Sequence, residues 1–223
     1  MADLNATKWG RLAGTGSNTF STARTSNAFS FVANPTTATD TAIYYNQTGR
    51  GASTFNRTFY YFDTSGITGT VSSVTLNILG HSSGNDGDII VTKSTAFGGD
   101  GSADIVVSDM PLVTYATPYS SEVTEWTLNG NNAISLNAAA NSDIQNNDFF
   151  ILAVINHDND YSNSEAGSAT QHENGIANST VAYLSYTEAA SGYTHDVNGV
   201  AAASIGKVSS VATASIGKIN SVD

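Results

Sequence analysis

The chain has 223 residues, with 8 Lys and Arg against 19 Asp and Glu, a formal net charge of −11 and no cysteine. A chain of this length can bury a full core without covalent cross-links, and the lack of cysteine excludes disulfides, thiolate zinc sites, iron–sulfur clusters and cysteine nucleophiles. Thirteen Asp and Glu but no Lys or Arg lie between Lys93 and Lys207, so we expect no nucleic-acid partner.

The N-terminus, MADLNATKWG, lacks the basic and apolar regions of a secretory signal. No apolar run approaches the roughly 20 residues that a membrane span requires. We therefore expect no signal peptide, no transmembrane segment and no membrane partner. Residues 1–27 precede the region of strand signals and are predicted to form an extended N-terminal arm.

Strand signals dominate the next part of the chain, residues 28–190. Short runs rich in β-branched and aromatic residues are bounded there by Gly, Asn, Asp and Ser. These runs are residues 58–62, 71–79, 88–92, 105–107, 149–155 and 181–186. Val74, Leu76 and Ile78 alternate with more polar residues, which indicates one buried face, whereas residues 149–155 are apolar almost throughout and indicate a central strand. This region is predicted to be an all-β, antiparallel sandwich, with at most one or two helical turns at residues 138–146.

The last segment, residues 191–223, contains an 11-residue repeat: VNGVAAASIGK (197–207), VSSVATASIGK (208–218) and then INSVD. A helix with this period would supercoil to the right, but glycines within the repeats favour extended segments and turns. So short a strip cannot bury its apolar face alone, and we expect it to dock on its own sandwich or on a copy or partner. The predicted docking or oligomerisation positions are Val197, Val200, Ile205, Val208, Val211, Ile216, Ile219 and Val222.

Residues 57–80, RTFYYFDTSGITGTVSSVTLNILG, resemble a pattern in jelly-roll domains from structural proteins of tailed bacteriophages and from some bacterial surface proteins. In that pattern an Arg opens a Phe-x-x-Phe-Asp strand, and a Val-x-x-Val-x-Leu-x-Ile strand follows a short loop. Residues 125–128, 133–139, 149–154 and 182–187 are similar to later strands of such domains, and the repeats are similar to tails on phage and marine-virus proteins. The resemblance implies a jelly-roll fold and a virion component. Arg57 and Asp63 are interpreted as a surface ion pair between strand ends.

Residues for catalysis are scarce, and we expect no enzyme. The histidines lie in predicted loops and lack the HExxH spacing of a zinc hydrolase; they are His81, His157, His172 and His195. Glu122 and Glu125, beside Trp126, are the only acid pair next to an aromatic side chain, as a glycosidase would need. They are interpreted as solvated acids, and Trp126 as a core or sheet-face anchor.

One loop offers ligands for a cation. Residues 157–165, HDNDYSNSE, carry hard oxygen ligands of the kind that Ca²⁺ uses, in Asp158, Asp160, Ser162 and Glu165. The loop departs from the EF-hand pattern because it lacks that motif's glycine and final glutamate. Asp86 and Asp88 form a second, weaker candidate, and no other cofactor is predicted.

Three functions compete at this point. The first is a non-enzymatic virion structural protein at the particle surface, such as a capsid decoration (cement) protein, which assembles with itself, by analogy as a trimer, and with capsid or tail proteins. The second is a carbohydrate-binding receptor-recognition module of a tail fibre or tail protein that contacts surface glycans through Tyr115, Tyr119, Tyr161 or Trp126. The third is a self-assembling extracellular filament subunit.

Overall fold

A computed structural model describes residues 1–14, 19–25, 32–33, 41–49, 51–84, 87–177, 180–189, 207–208 and 211–212. Antiparallel strands dominate these residues, which confirms the predicted all-β class. The strands are β1 (Ala2–Asn5), β2 (Lys8–Ala13), β3 (Val32–Ala33), β4 (Thr41–Gln47), β5 (Ser53–Asp63), β6 (Thr70–Gly84), β7 (Ile89–Ser94), β8 (Val113–Pro118), β9 (Asn131–Ser135), β10 (Phe149–Asn156), β11 (Thr170–Ile176), β12 (Tyr183–Ala189), β13 (Lys207–Val208) and β14 (Val211–Ala212).

The helical elements are short. They are α1 (Phe20–Thr25), α2 (Ala138–Asn146), two 3₁₀ turns (Phe97–Gly99 and Val107–Asp109) and one π-type turn (His157–Tyr161). Among the described residues, no helix has the length and apolar character that crossing a membrane requires.

The strands β1 to β12 pair in two groups that share β6. β1, β12, β6 and β9 are neighbours in that order. The second group runs from the C-terminal end of β6 through β11, β4, β5, β10 and β7 to β8, while β2 pairs with β5 and β3 pairs with β2. The pairing of β6 with β11 shifts register between Asn174 and Ile176. Such irregularities let a strand bend from one sheet into another.

β10 lies between β5 and β7, as its apolar composition predicts. Its residues 150–155 are all at most 4% exposed. Because side chains alternate along a strand, β10 contributes to two separate cores, one on each face. Phe150, Leu152 and Val154 enter the first core, and Ile151, Ala153 and Ile155 enter the second.

The two cores are covered by different elements. The first core lies between β5, β10 and β7 on one side and β6, β9, β12 and α2 on the other, and it includes Val74, Leu76 and Ile78, as the alternation predicts. The second core lies on the opposite face of β5 and β10. It is covered by α1, by residues 96–110 of the connection between β7 and β8, and by Val113 at the start of β8.

The predicted N-terminal arm is part of the body over residues 2–5 and 8–13. β1 pairs with β12, and β2 pairs with β5 from Lys8–Tyr61 to Ala13–Asn56. Leu12 is fully buried, and Trp9 packs against the first core. These strands carry few apolar residues, so their sequence pattern is weak. Within the arm, residues 15–18 and 26–27 lie outside the described residues.

Residues 105–107 are not the predicted strand. They form an irregular segment that enters the 3₁₀ turn Val107–Asp109. The Asp109 carboxylate accepts hydrogen bonds from the backbone N–H groups of Phe97 and Val106, which holds the segment in a turn. Ile105 is nevertheless buried in the second core, because the segment covers that core.

The predicted helical turns at residues 138–146 form α2, which at nine residues is slightly longer than expected. The Asn137 side chain accepts hydrogen bonds from the N–H groups of Ala139 and Ala140, which caps the helix. Ala140 and Ile144 are buried in the first core. Capping and burial together stabilise a helix whose Asn and Ser content alone is unfavourable.

The described residues of the repeat segment are extended. β13 and β14 pair antiparallel, with Lys207 opposite Ala212 and Val208 opposite Val211. Whether the rest of the segment is extended, as predicted, lies outside the described residues. The remaining predicted docking positions lie outside the described residues, namely Val197, Val200, Ile205, Ile216, Ile219 and Val222.

Candidate functional site

Arg57 is the largest fully buried side chain of the described residues, with 0% exposure. It lies on β5 between Phe55 and Phe59, and all three point into the second core because they are two residues apart. An unpaired charge in such a place would cost several kcal/mol, on the order of the desolvation penalty of one ion. Arg57 therefore needs a buried counter-ion.

The counter-ion is Asp160, which is 1% exposed in the π-type turn that follows β10. Arg57 Nε donates to Asp160 Oδ2 at 2.7 Å, and Arg57 Nη2 donates to Asp160 Oδ1 at 2.7 Å. Two parallel hydrogen bonds make this a bidentate ion pair, the strongest arrangement of these groups. The Asn156 side chain accepts hydrogen bonds from the backbone N–H groups of Asn159 and Asp160, which fixes the turn.

Both terminal nitrogens of the Arg57 guanidinium have further acceptors. Arg57 donates to the carbonyls of Met110 and Arg24 and to the Tyr115 hydroxyl, which in turn donates to Asp160 Oδ1 at 3.0 Å. The Arg24 guanidinium lies 3.9 Å above the Tyr115 ring and donates to the Asp160 carbonyl. We call Arg24, Arg57, Tyr115 and Asp160 the arginine cluster. It joins α1, β5, β8 and the turn after β10.

The electrostatics of the arginine cluster indicate a structural role. Burial alone lowers the pKa of Arg57, but the Asp160 carboxylate and its hydrogen bonds outweigh burial, so the pKa of Arg57 is raised. Burial and the Asp160 charge raise the pKa of the Tyr115 phenol. Arg57 and Tyr115 therefore keep their protons at physiological pH, and neither acts as a general base.

The predicted ion pair between Arg57 and Asp63 is wrong. The two residues lie six positions apart on one strand, on the order of 20 Å, and Arg57 binds Asp160 instead. Asp63 is exposed and accepts hydrogen bonds from the backbone and hydroxyl of Ser65, which lower its pKa.

The predicted calcium ligands do not converge. Both carboxylate oxygens of Asp160 face Arg57, so they are not free to bind a cation. Glu165 accepts a hydrogen bond from Gln47. Within the described part of the chain, Asp158, Asp160 and Glu165 do not form a group of metal-ligating atoms. Ser162 ends the π-type turn, with its N–H bonded to the His157 carbonyl. Of the weaker pair, Asp86 lies outside the described residues.

Asp158 belongs to a different group, formed with Glu122 and His157, which we call the His157 cluster. The three ligand atoms lie within 4.8 Å of one another. His157 Nδ1 is 2.9 Å from Glu122 Oε1 and 3.5 Å from Asp158 Oδ1. The sequence pattern did not indicate this group, because Glu122 lies 35 positions before His157.

Glu122 and His157 are the only two described residues among those considered for catalysis that the structure brings together in this cluster. Glu125 is exposed and lies outside the His157 cluster. His81 and His172 lie on β6 and β11 rather than in loops, and the His172 ring stacks on Tyr45. His195 lies outside the described residues.

The aromatic side chains considered for glycan binding are occupied by other contacts. Tyr119 is 1% exposed and therefore cannot stack on a sugar. Tyr115 belongs to the arginine cluster, and the Tyr161 ring stacks on His157. Trp126 packs against the first core, as its interpretation as an anchor predicts, and its indole N–H donates to the Gly175 carbonyl at 3.2 Å.

A cleft of about 190 Å³ lies beside α2, lined in part by Lys93, Tyr119, Asp143 and Phe149. The Asp143 carboxylate accepts hydrogen bonds from Lys93 Nζ at 2.8 Å and from the Tyr119 hydroxyl. Burial and the Asp143 carboxylate raise the pKa of Tyr119. The cleft is smaller than the roughly 300 Å³ at which small-molecule sites begin, and its polar groups are bonded to one another.

The arginine cluster was missed by sequence reasoning, although a signal exists. Arg57 alternates with Phe55 and Phe59 on one strand face, and an Arg in that position requires a buried acid. The apolar strand that ends at Asn156 is followed by two aspartates, Asp158 and Asp160. The structure selects Asp160, because the turn directs its side chain inward.

No known protein family has a model that matches this chain, and a search of curated proteins finds no similar sequence. The function is therefore inferred from the residues of the chain itself.

Proposed function

We propose that the protein is a non-enzymatic structural subunit of a bacteriophage particle, of the capsid-decoration (cement) type or another particle-surface type. We further propose that its body is a jelly-roll sandwich and that its repeat segment mediates assembly. One observation carries the proposal: an 11-residue repeat with regularly placed apolar residues follows a body with two cores among its described residues.

The packing of the body supports this view. Apolar side chains between Leu4 and Tyr186 form two cores in the described part of the chain. Repeated apolar side chains gain stability only by stacking on a neighbouring surface. In an assembling subunit, that surface is supplied by a second copy of the chain or by a neighbouring particle protein.

The polar interior of the body supports a mechanical role. The buried charged groups of the arginine cluster form hydrogen bonds that connect four chain segments. Arg57 and Tyr115 keep their protons near neutral pH. A body of this kind is suited to hold its shape under load. The jelly-roll assignment rests on the antiparallel pairing of the described strands and on residues 57–80, which form most of β5 and the first part of β6.

The charge distribution supports contacts between copies. Lys207 and Lys218 are the only basic residues after Lys93, and the intervening chain is acidic. Opposite charges on the repeat segment and on a neighbour's body orient the contact, although each exposed pair contributes at most about 1 kcal/mol. The expected state is a homo-oligomer, with a trimer as the working stoichiometry.

A pair of full-length variants tests the proposal. Ile205→Asp with Ile216→Asp places charges at equivalent apolar positions of the two repeats, whereas Ser204→Asp with Ser215→Asp places the same charges one residue earlier. We expect the isoleucine variant to become monomeric and the serine variant to remain oligomeric, as measured by light scattering coupled to size-exclusion chromatography. Far-ultraviolet circular dichroism should show the same strand content for both.

Four results would contradict the proposal. The repeats do not mediate assembly if the full-length protein is monomeric at all concentrations. The same conclusion follows if the isoleucine variant assembles like the serine control. Fibres formed by the purified protein in electron micrographs favour the filament alternative. Binding to specific sugars on a glycan array, abolished by Trp126→Ala, favours the receptor-recognition alternative.

A further inference from the structure

The His157 cluster combines one imidazole and two carboxylates, contributed by the loop before β9 and by the turn after β10. We propose that Glu122, His157 and Asp158 form a binding site for a divalent transition metal of the zinc class. The metal would connect these two loops at one edge of the body. This site is independent of the proposed function.

The His157 ring nitrogen is the strongest reason for the proposal. Its Nδ1 atom is shielded from solvent and makes no hydrogen bond, although Glu122 Oε1 lies only 2.9 Å away. A hydrogen bond requires the donor, proton and acceptor to be nearly in line. The two carboxylates therefore crowd the nitrogen without satisfying it as a donor.

A metal ion requires a different geometry, which these distances fit. Ligands at about 2.1 Å from a common ion lie about 3.0 Å apart at right angles and about 3.4 Å apart in a tetrahedron. The two distances from Nδ1 to the carboxylate oxygens are 2.9 and 3.5 Å. Small side-chain rotations would place an ion among the three atoms, with water completing its coordination.

The ligands are held by well-defined neighbours. The His157 ring stacks on Tyr161, with ring centres 5.6 Å apart and planes inclined by 23°. The backbone N–H of His157 donates to the Asp88 carbonyl at 2.7 Å, and Val123, next to Glu122, exchanges two backbone hydrogen bonds with Ile89. Both ligand loops are thus tied to the start of β7, which lowers the cost of ordering the site.

The donor set selects the class of metal. Imidazole nitrogen suits zinc, copper, nickel and iron, whereas calcium and magnesium favour sites made wholly of oxygen. Two carboxylates also balance the charge of a divalent ion. The site therefore differs in metal from the calcium site predicted from the sequence, and Asp158 is the only ligand that the two have in common.

Titration of the chelator-treated, full-length protein tests the site. We expect one equivalent of ZnCl₂ to bind with micromolar affinity in calorimetry. We also expect CoCl₂ to bind and give a visible absorption band of Co²⁺ coordinated by the imidazole nitrogen. Glu122→Gln and His157→Gln should each weaken binding by at least about tenfold. The control is Glu125→Gln, which alters an exposed acid that lies three residues after Glu122 and outside the cluster. This variant should bind zinc like the wild type.

Two further measurements distinguish the loss of a metal-binding side chain from unfolding of the variant. In ¹⁵N NMR spectra, zinc should shift the Nδ1 resonance of His157 and leave that of His172 in place, and thermal melts in chelator should be similar for all variants. Absence of zinc binding at 100 μM protein would overturn the proposal. Equal affinity in His157→Gln and the wild type, or displacement of zinc by millimolar CaCl₂, would also overturn it.

Discussion

Replacement of Asp160 by Asn tests the central structural feature of the body. The substitution keeps the shape of the side chain but removes its charge, which leaves Arg57 buried without a counter-ion. Arg57 is 0% exposed and donates two charge-assisted hydrogen bonds of 2.7 Å to the Asp160 carboxylate. Breaking a buried pair by removal of one partner typically costs about 3–5 kcal/mol.

That cost is large relative to the stability of the whole domain, which for typical proteins is about 5–15 kcal/mol. For a chain of this size, each kcal/mol lowers the melting temperature by about 2–4 °C. We therefore expect Asp160→Asn to melt about 6–20 °C below the wild type. The assay is urea unfolding followed by circular dichroism, with a thermal melt as a second measurement.

The matched control is Asp63→Asn, which changes an exposed acid on the same strand as Arg57. The control should unfold close to the wild type. Combining Arg57→Met with Asp160→Asn should recover part of the lost stability, because the double variant leaves no buried charge. Equal unfolding free energies for Asp160→Asn and Asp63→Asn would refute the reasoning.

Two further substitutions probe burial and close packing. Burial raises the pKa of the Tyr60 phenol, so the folded state keeps this proton at a pH where the unfolded chain loses it. The free energy of unfolding should therefore fall above about pH 10, by up to about 1.4 kcal/mol per pH unit. Tyr60→Phe should lose less unfolding free energy than the wild type between pH 9 and 11.5 in urea titrations, and an equal loss would contradict this assignment. A Cβ atom on Gly80 would lie 2.1 Å from the Thr127 carbonyl oxygen, whereas one on Gly66 would meet nothing within 4 Å. Gly80→Ala should therefore lower the unfolding free energy by about 1–3 kcal/mol and Gly66→Ala should not, and similar values for both would argue against tight packing at Gly80.

Elements with a strong periodic pattern could be predicted from the sequence. The alternation of Val74, Leu76 and Ile78 indicated one buried face of β6, and the continuous apolar run of β10 indicated a central strand. In both cases burial of apolar side chains determines the structure, and this information is local in the sequence. Asn137 also carries local information, since it caps α2, but its effect was underestimated.

Features that depend on distant partners could not be predicted. β2 has few apolar residues and is stabilised by backbone pairing with β5, so its own sequence shows little of its structure. Asp160 and Asp158 are similar in sequence, yet the turn directs Asp160 to Arg57 and places Asp158 beside His157. Glu122 reaches His157 only because Val123 pairs with Ile89.

Removal of residues 191–223 tests the central claim most directly. The measurement is the molar mass and thermal unfolding of the truncated chain beside the full-length protein at equal concentration. We predict a folded monomer with a cooperative melt, because residues between Leu4 and Tyr186 form two cores in the described part of the chain. A truncated chain that is unfolded, or that still assembles like the full-length protein, would contradict the claim that the repeats mediate assembly.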